Sequence, residues 1–371
     1  MQDSESDRRQ GGNKASSTEG AARLSVRDEK SVAPAPRSAH LLDSAVRRMS
    51  RSRLLRKCLG GPYLRINTWI WCHLPLSLRS KRPLRRYGSH LHTLIQLRDA
   101  RTQSTGTYFF RNRPELKLLL RLLDQFSSDS TVEMAIVGCS KGAEVYSFSY
   151  TIRTARPDLC LRLSALDIDE DTLDFAKGGV YSLKAADGAS DIGPSAFDPD
   201  GDVAARTALG QPPSSSVFER MSAVEIDALF ERQGDCVRVR PQFRNAIDWR
   251  LGDAGDPNLV ASLGSQDIVV ANRFLCHMDP EAAEACLRNL ARLVKGGGYL
   301  FVSGVDLSVR SKVASQYGWR PVIDLIGEIH EGDPSLRRDW PLHYWGLEPF
   351  DRTKGGWKLR YASVFQLPED P

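Results

Sequence analysis

A recurring unit constrains this chain more than any other feature: a short apolar run, a turn of small or polar residues, then an amphipathic stretch. Met134-Ala135-Ile136-Val137 leads into Gly138 and a helical pattern from Glu144 to Arg153. Leu161 to Leu166 ends at Asp167. Asp169-Glu170-Asp171 then supplies an N-cap and acidic first turn for a helix that stops at Gly178-Gly179. Ile247 to Leu251 and Asp267 to Asn272 read as further strands. Asp279-Pro280-Glu281 opens a helix with Ala283, Cys286, Leu287, Leu290 and Val294 on one face. Gly296-Gly297-Gly298 breaks it before a strand from Tyr299 to Ser303. Trp357, Leu359, Tyr361, Phe365 and Leu367 alternate as an antiparallel strand requires. Repeated strand–helix–strand units predict an α/β fold with an open, mostly parallel sheet and right-handed crossovers.

The 371 residues divide by texture. Residues 1–38 are rich in Ser, Gly and charge and read as a disordered tail. Residues 39–105 are helical and basic, with Leu41, Leu42, Ala45 and Val46, then Leu91, Leu94, Ile95 and Leu97. Residues 106–371 carry the α/β pattern, starting from a helix at Pro114 with Leu116, Leu119, Leu120 and Leu123. Gly and Pro crowd the stretch at about 185–220, which reads as a mobile insertion; a helix over Ser222 to Glu231 follows. From Ser44 to Arg101 there are fourteen Lys/Arg against the single acid Asp99, a net +13 in a chain whose total is +5. Such a segment is either a solvated helical face or a docking surface for an acidic partner. The expected partner is an acidic protein, with nucleic acid or an anionic membrane surface as alternatives.

The run from Ile66 to Leu78 contains Asn67, His73 and Pro75, too short and too polar for a membrane span. The first residues carry Asp3, Glu5 and Asp7 and no apolar secretory core. Seven scattered cysteines without a CxxC pair fit reduced thiols in a cytoplasmic protein and predict no metal site.

Chemistry concentrates after the first strand. Gly138, Ser140 and Gly142 let the backbone turn sharply and approach a ligand at the carboxyl edge of the sheet. The spacing is GxSxG and lacks the GxGxxG of dinucleotide enzymes, which argues against a nicotinamide-dependent dehydrogenase. Asp167 stands where a carboxylate can accept from both hydroxyls of a ribose, or else caps the next helix. Asp253 is placed to read an adenine edge, or else to shape a turn beside Gly252 and Gly255.

Five stretches in fixed order give these pieces a family. Thr107-Tyr108-Phe109-Phe110-Arg111 resembles a Thr-x-Phe-Phe-Arg motif, and Cys139 to Ser147 resembles A-S-T-G-E-E-P-Y-S. Asp167-Ile168-Asp169 with Ala176 and Gly179-Val180-Tyr181 matches D-I-D…A…G-x-Y. Asp267 to Asn272 resembles a strand ending in Arg-Asn, and Leu293 to Leu300 resembles L-K-P-x-G-x-L. Together they resemble the CheR-type (chemotaxis receptor) methyltransferases over residues 105–305. The resemblance implies a Rossmann-like class I methyltransferase sheet of seven strands, the last antiparallel, with a small N-terminal helical domain. It implies S-adenosyl-L-methionine as cofactor, contacted by Thr107, Arg111, Gly138, Ser140, Gly142, Glu144, Asp167, Asp253 and Asn272. Glu144 can accept from the methionine ammonium, and Arg111 can pair with a carboxylate of the cofactor or the substrate.

The chain departs from the family after its asparagine. Where a tyrosine lies near the transferred methyl, this sequence has Cys276, followed by His277. The expected reaction is methyl transfer to a protein carboxylate, with Arg111 positioning it. The alternatives are a hydroxyl or amine acceptor with His277 as base, and a cofactor-binding scaffold without catalysis. A Pro-bearing aromatic run, Trp340 to Gly346, is expected to pack in the core or form a lid.

Overall fold

A computed structural model of the chain describes residues 60–183 and 216–369. The N-terminal tail, the apolar positions from Leu41 to Val46 and most of the expected insertion lie outside the described residues. Three N-terminal helices come first: α1 (Gly60–His73), α2 (Leu76–Arg79) and α3 (Arg82–Arg98). The α/β part then runs α4 (Arg113–Leu123), β1 (Thr131–Val137), α5 (Ala143–Ala155), β2 (Cys160–Asp167), α6 (Glu170–Gly178) and β3 (Val180–Ser182). After the undescribed segment come α7 (Ala223–Leu229), β4 (Phe230–Gln233), β5 (Cys236–Val239), α8 (Pro241–Arg244), β6 (Ile247–Leu251), α9 (Leu259–Leu263) and β7 (Gln266–Val270). The chain ends with α10 (Pro280–Arg292), β8 (Val294–Phe301), α11 (Leu307–Gln316), β9 (Arg320–Pro321), α12 (Ile326–Glu331), α13 (Pro334–Asp339), α14 (Trp357–Tyr361) and β10 (Val364–Gln366).

Seven strands form one sheet in the order β6-β2-β1-β7-β8-β10-β9. The first five are parallel; β10 runs antiparallel to both β8 and β9. This is the Rossmann-like methyltransferase sheet expected from the sequence. Strand order reverses between β2-β1 and β7, so a crevice opens at the carboxyl ends of β1 and β7, where ligands bind in sheets of this kind. Val132, Met134, Ala135, Ile136 and the facing Ile268, Val269 and Val270 are all fully buried, as a central parallel strand pair requires.

A second sheet, β3-β5-β4, is antiparallel. Tyr181, Phe218 and Phe230 from this region close around Phe109, with Phe109 and Phe218 stacked at 5.7 Å between ring centroids. Phe109 also donates its N–H to Val217 O at 3.0 Å. The small sheet therefore holds the Tyr108 to Arg111 segment in place beside the crevice. Tyr181 adds a second tie, its hydroxyl donating to Lys141 O in the glycine loop at 2.6 Å.

Trp340 and Tyr344 from the aromatic run share a small core with Leu64, Trp71, Leu91 and Ile95 of α1 and α3. Trp71 and Trp340 meet edge to face at 5.6 Å. The run packs as core. Arg101, just after α3, makes a 2.7 Å ion pair with Asp306, the two side chains only 5% and 9% exposed.

Three sequence expectations need correction. Trp357 to Tyr361 is a helix rather than a strand, because Trp357 and Tyr361 at i and i+4 both clasp Phe350, at 6.0 and 5.1 Å between rings. Only Val364–Gln366 continues as the antiparallel strand. The helix from Pro280 stops at Arg292, and Val294 begins β8, which runs through the three glycines. A Cβ on Gly298 would lie 2.7 Å from Asp267 O, so glycine there permits the close pairing of β7 and β8. The helix after Ser222 ends at Leu229, and Phe230 starts β4.

Candidate functional site

The loop between β1 and α5 is wound through left-handed backbone at Gly138 (φ 71°), Ser140 (48°) and Gly142 (81°). A Cβ on Gly138 would sit 2.6 Å from the Phe274 ring, so that position must be glycine for the post-β7 segment to close over the loop. Asp167 ends β2 beside this loop. Its Oδ2 accepts the Ser140 N–H at 2.6 Å and its Oδ1 accepts the Asp169 N–H at 3.1 Å. Both oxygens keep a second lone pair, which is the equipment a pair of ribose hydroxyls needs. Ser140 Oγ donates to Thr105 O at 2.8 Å, which fastens the 105–107 segment, with Thr107, against the loop.

Asp253 stands one strand further out, just after Gly252, whose N–H donates to Asp167 O at 2.9 Å. Its Oδ1 accepts from Gly255 N at 2.7 Å, so it shapes the turn while lying on the same sheet edge as Asp167.

At the other end of the crevice Asn272 is 6% exposed and joins two acids. Its Nδ2 donates to Glu115 Oε1 at 2.7 Å and Glu144 Oε1 at 3.0 Å, while its Oδ1 accepts from Ser303 N at 2.9 Å. Glu115 was missed in the sequence, where a glutamate in the first turn of a helix reads as complementing the dipole. It is 2% exposed, and burial together with the neighbouring Glu144 pushes its pKa up to about 8. Burial also raises Glu144, while Arg111 and Asn272 oppose the shift. Arg111 donates through Nη2 to Gly106 O at 2.7 Å and lies 5.6 Å from the Tyr108 ring. Beside it Arg220 pairs with Asp333 at 2.8 Å and donates to Arg111 O. Arg111, Glu115, Glu144 and Asn272 line one cleft with Ser303, Gly304 and Asp333.

His277 follows in a one-turn 3-10 segment, Leu275–His277. Its Nδ1 lies 2.8 Å from the Tyr344 hydroxyl, and the two rings are perpendicular. Burial and the charges of Arg273, Arg101 and Arg111 hold its pKa down to about 4. Cys276 beside it is 2% exposed, and burial raises its thiol pKa, so it packs as a small apolar group. Arg101 Nη1 donates to Cys276 O and Met278 O at 3.0 and 2.9 Å, fixing this turn from the N-terminal helices. The structure thus joins Ser140 to Asp167 and Glu144 to Asn272 by direct hydrogen bonds, and adds Glu115, Arg101 and Tyr344 to the residues expected.

Residues 105–193 match the family model of the CheR methyltransferase SAM-binding domain. This match agrees with the five ordered stretches, and the segment is similar to the SAM-binding domain of CheR-type methyltransferases. Residues 210–302 also match a general methyltransferase-domain model. Over 221 residues it is 23% identical to the "Probable biofilm formation methyltransferase WspC" of Pseudomonas aeruginosa, covering 58% of this chain and 44% of that one. It is 24% identical over 258 residues to a 104.1 kDa protein of Rhodobacter capsulatus, covering 63% of this chain and 23% of that one. The chain thus spans less than half the length of the curated relatives it matches. Among solved structures, the N-methyltransferase NodS of Bradyrhizobium japonicum with S-adenosylhomocysteine is 13% identical, covering 57% of this chain and 76% of that one, with a TM-score of 0.28. Magnesium protoporphyrin IX methyltransferase of Synechocystis with bound SAM is 15% identical, covering 57% and 70%, with a TM-score of 0.29.

The cofactor of this family is S-adenosylmethionine, and the side chains present fit it. The left-handed glycine loop allows close approach, Asp167 offers two oxygens to a ribose, and the Glu115–Asn272–Glu144 group offers buried carboxyl oxygens to an ammonium. Among the described residues no helix is long and apolar enough to cross a membrane.

Proposed function

We propose that this chain transfers the methyl group of S-adenosylmethionine to a glutamate carboxylate on an acidic protein, forming a methyl ester. Bound cofactor supplies an electrophilic methyl on a positively charged sulfur. The observation that carries the reading is the chemistry around that site: guanidinium groups are present, and the imidazoles of His277 and His330 are both held to about 4, far below the range of an effective base at pH 7. A carboxylate with an ordinary pKa of ~4.3 is already ionised and has no proton to surrender. What the chain must do is orient its oxygen in line with the methyl carbon and exclude water. Thr107, Arg111, Glu144 and Asn272 would hold the methionine end, Asp167 the ribose, and Asp253 the sheet edge beyond it. The basic N-terminal segment, with Lys81, Arg82 and Arg86 exposed, would receive the acidic protein.

The test is to incubate the protein with methyl-labelled cofactor and host lysate, then treat with alkali. Release of volatile methanol supports the ester. Alkali-stable label that disappears in His277→Ala would establish a hydroxyl or amine acceptor instead. Cofactor binding without any transferred label would make the chain a binding scaffold.

A further inference from the structure

Arg273 follows Asn272 directly and is held in left-handed backbone at φ 68°. Non-glycine residues in that region are sustained only where the surroundings over-determine them, and they gather at functional sites. Here the surroundings are specific. The Arg273 N–H donates to Ser303 O at 3.0 Å, and the Cys276 N–H donates to Gly304 O at 2.8 Å. A Cβ on Gly304 would lie 2.6 Å from Arg273 Cα and 2.9 Å from its Cδ. The glycine is what lets the arginine stem pack against the turn at Gly304.

Two nitrogens of the resulting guanidinium are unmatched. Its Nε and Nη1 are both buried, and among the described residues neither has a hydrogen-bond partner. The neighbouring arginines are each engaged: Arg111 with Gly106 O, Arg220 with Asp333, and Arg101 with Asp306 and two carbonyls. An arginine does not escape by losing its proton, so its donors stay charged and unsatisfied. Gly304, against which the Arg273 stem packs, lines the cleft, and the charge of Arg273 acts on Arg111, Glu144, Cys276 and His277, so it lies beside the cleft groups.

We propose that Arg273 is the binding residue for the carboxylate of the methyl acceptor, its unmatched N–H donors receiving that carboxylate beside the cofactor. This rests on the ester reading above and moves the substrate-positioning role from Arg111, whose Nη2 already holds Gly106 O, to Arg273. An acceptor carboxylate satisfies the buried donors and aligns the attacking oxygen; a neutral amide or hydroxyl acceptor leaves the buried charge uncompensated, which gives selectivity for acids.

The cofactor also carries a carboxylate, so the test separates the two sources. Arginine-labelled wild-type protein is followed by the Nε–H resonance of Arg273, assigned by its loss in Arg273→Lys. S-adenosylhomocysteine is added first, then N-acetyl-glutamate α-methylamide, with the glutamine analogue as control. The expected result is a resonance that moves and becomes protected only with the glutamate probe. A full response to S-adenosylhomocysteine alone would assign the residue to the cofactor and overturn the proposal. No response to the glutamate probe, or an equal one to the glutamine analogue, would overturn it too. Arg273→Lys should also raise KM for the labelled acceptor protein about tenfold, as loss of a charged hydrogen bond predicts, with S-adenosylhomocysteine affinity unchanged. Failure of the ester reading looks different: no alkali-labile label forms, whatever Arg273 reports.

Discussion

Asn272 reaches Glu115 at 2.7 Å across 157 positions of sequence, and the same amide nitrogen reaches Glu144 at 3.0 Å. Two carboxyl groups are thereby gathered on one amide in a buried place, and they cannot both ionise cheaply. Burial and the neighbouring Glu144 push Glu115 up to about 8, so it is largely protonated at pH 7, and burial raises Glu144 as well.

That proton has a consequence for stability. An unfolded glutamate releases it near 4.5, while the folded one holds it to about 8. Between those values the native state binds more protons than the unfolded state, so stability falls as pH rises through the window. The slope is at most about 1.4 kcal/mol per pH unit. Glu115→Gln keeps the neutral shape, so the variant should gain on wild type in denaturant melts at pH 8 and match it near pH 5. Equal curves at both values would show that Glu115 ionises normally.

Binding of S-adenosylhomocysteine should reveal the same proton. If the ligand's ammonium docks between Glu115 and Glu144, it favours their ionised forms. Titration calorimetry at pH 7 in buffers of different ionisation enthalpy should then report a proton released on binding. In Glu115→Gln the buffer dependence should shrink. Heats that do not depend on buffer would place the ammonium elsewhere.

Asp167 provides a test at the ribose end. If the cofactor's ribose docks on Asp167, Asp167→Ala removes a charged acceptor of two hydroxyls, worth ~1.5–3 kcal/mol each. It also frees the Ser140 N–H that Asp167 now holds at 2.6 Å. S-adenosylhomocysteine should bind at least about tenfold more weakly to a variant that remains folded.

Much of this was readable in the residues, and the reason is local. The buried strands are continuous apolar runs, and the GxSxG turn and Asp167 mark their carboxyl ends, so the sheet and the meeting of Ser140 with Asp167 follow from nearby residues. The acceptor end does not. Glu115 looks like an ordinary first-turn glutamate until β7 brings Asn272 against it. Arg273 looks like a solvated charge until Gly304 buries its stem. Trp357 and Tyr361 satisfy a two-residue period and a four-residue one equally well, and only contact with Phe350 decides between them. The aromatic run from Trp340 announces burial, but not that Trp71 and Gly88 are what it packs against.

Gly88 tests that last contact. A Cβ there would lie 2.6 Å from the Trp340 ring and 2.8 Å from the Trp71 ring. Gly88→Val should therefore cost about 1–3 kcal/mol by overpacking. Gly178→Ala, with nothing within 4 Å of its new Cβ, should leave the melting temperature unchanged or slightly raised. Equal behaviour of the two variants would mean that α3 does not rest on Trp340.

His277 decides the class of acceptor. Its ring is perpendicular to Tyr344, with Nδ1 2.8 Å from the hydroxyl, and its pKa lies near 4. Removing it breaks a hydrogen bond worth about 1 kcal/mol of stability, and Tyr344→Phe should show the same small loss. If the acceptor is a carboxylate, His277→Ala should form ester at nearly the wild-type rate, because no proton moves. If the acceptor is a hydroxyl or amine, the same change should cost ~10²–10⁴-fold in kcat, and Tyr344→Phe should not reproduce that loss. The comparison uses one assay and two variants that share a hydrogen bond but differ in basic chemistry. A His277→Ala enzyme that is crippled while Tyr344→Phe remains active would therefore replace the ester reading with proton abstraction by the imidazole.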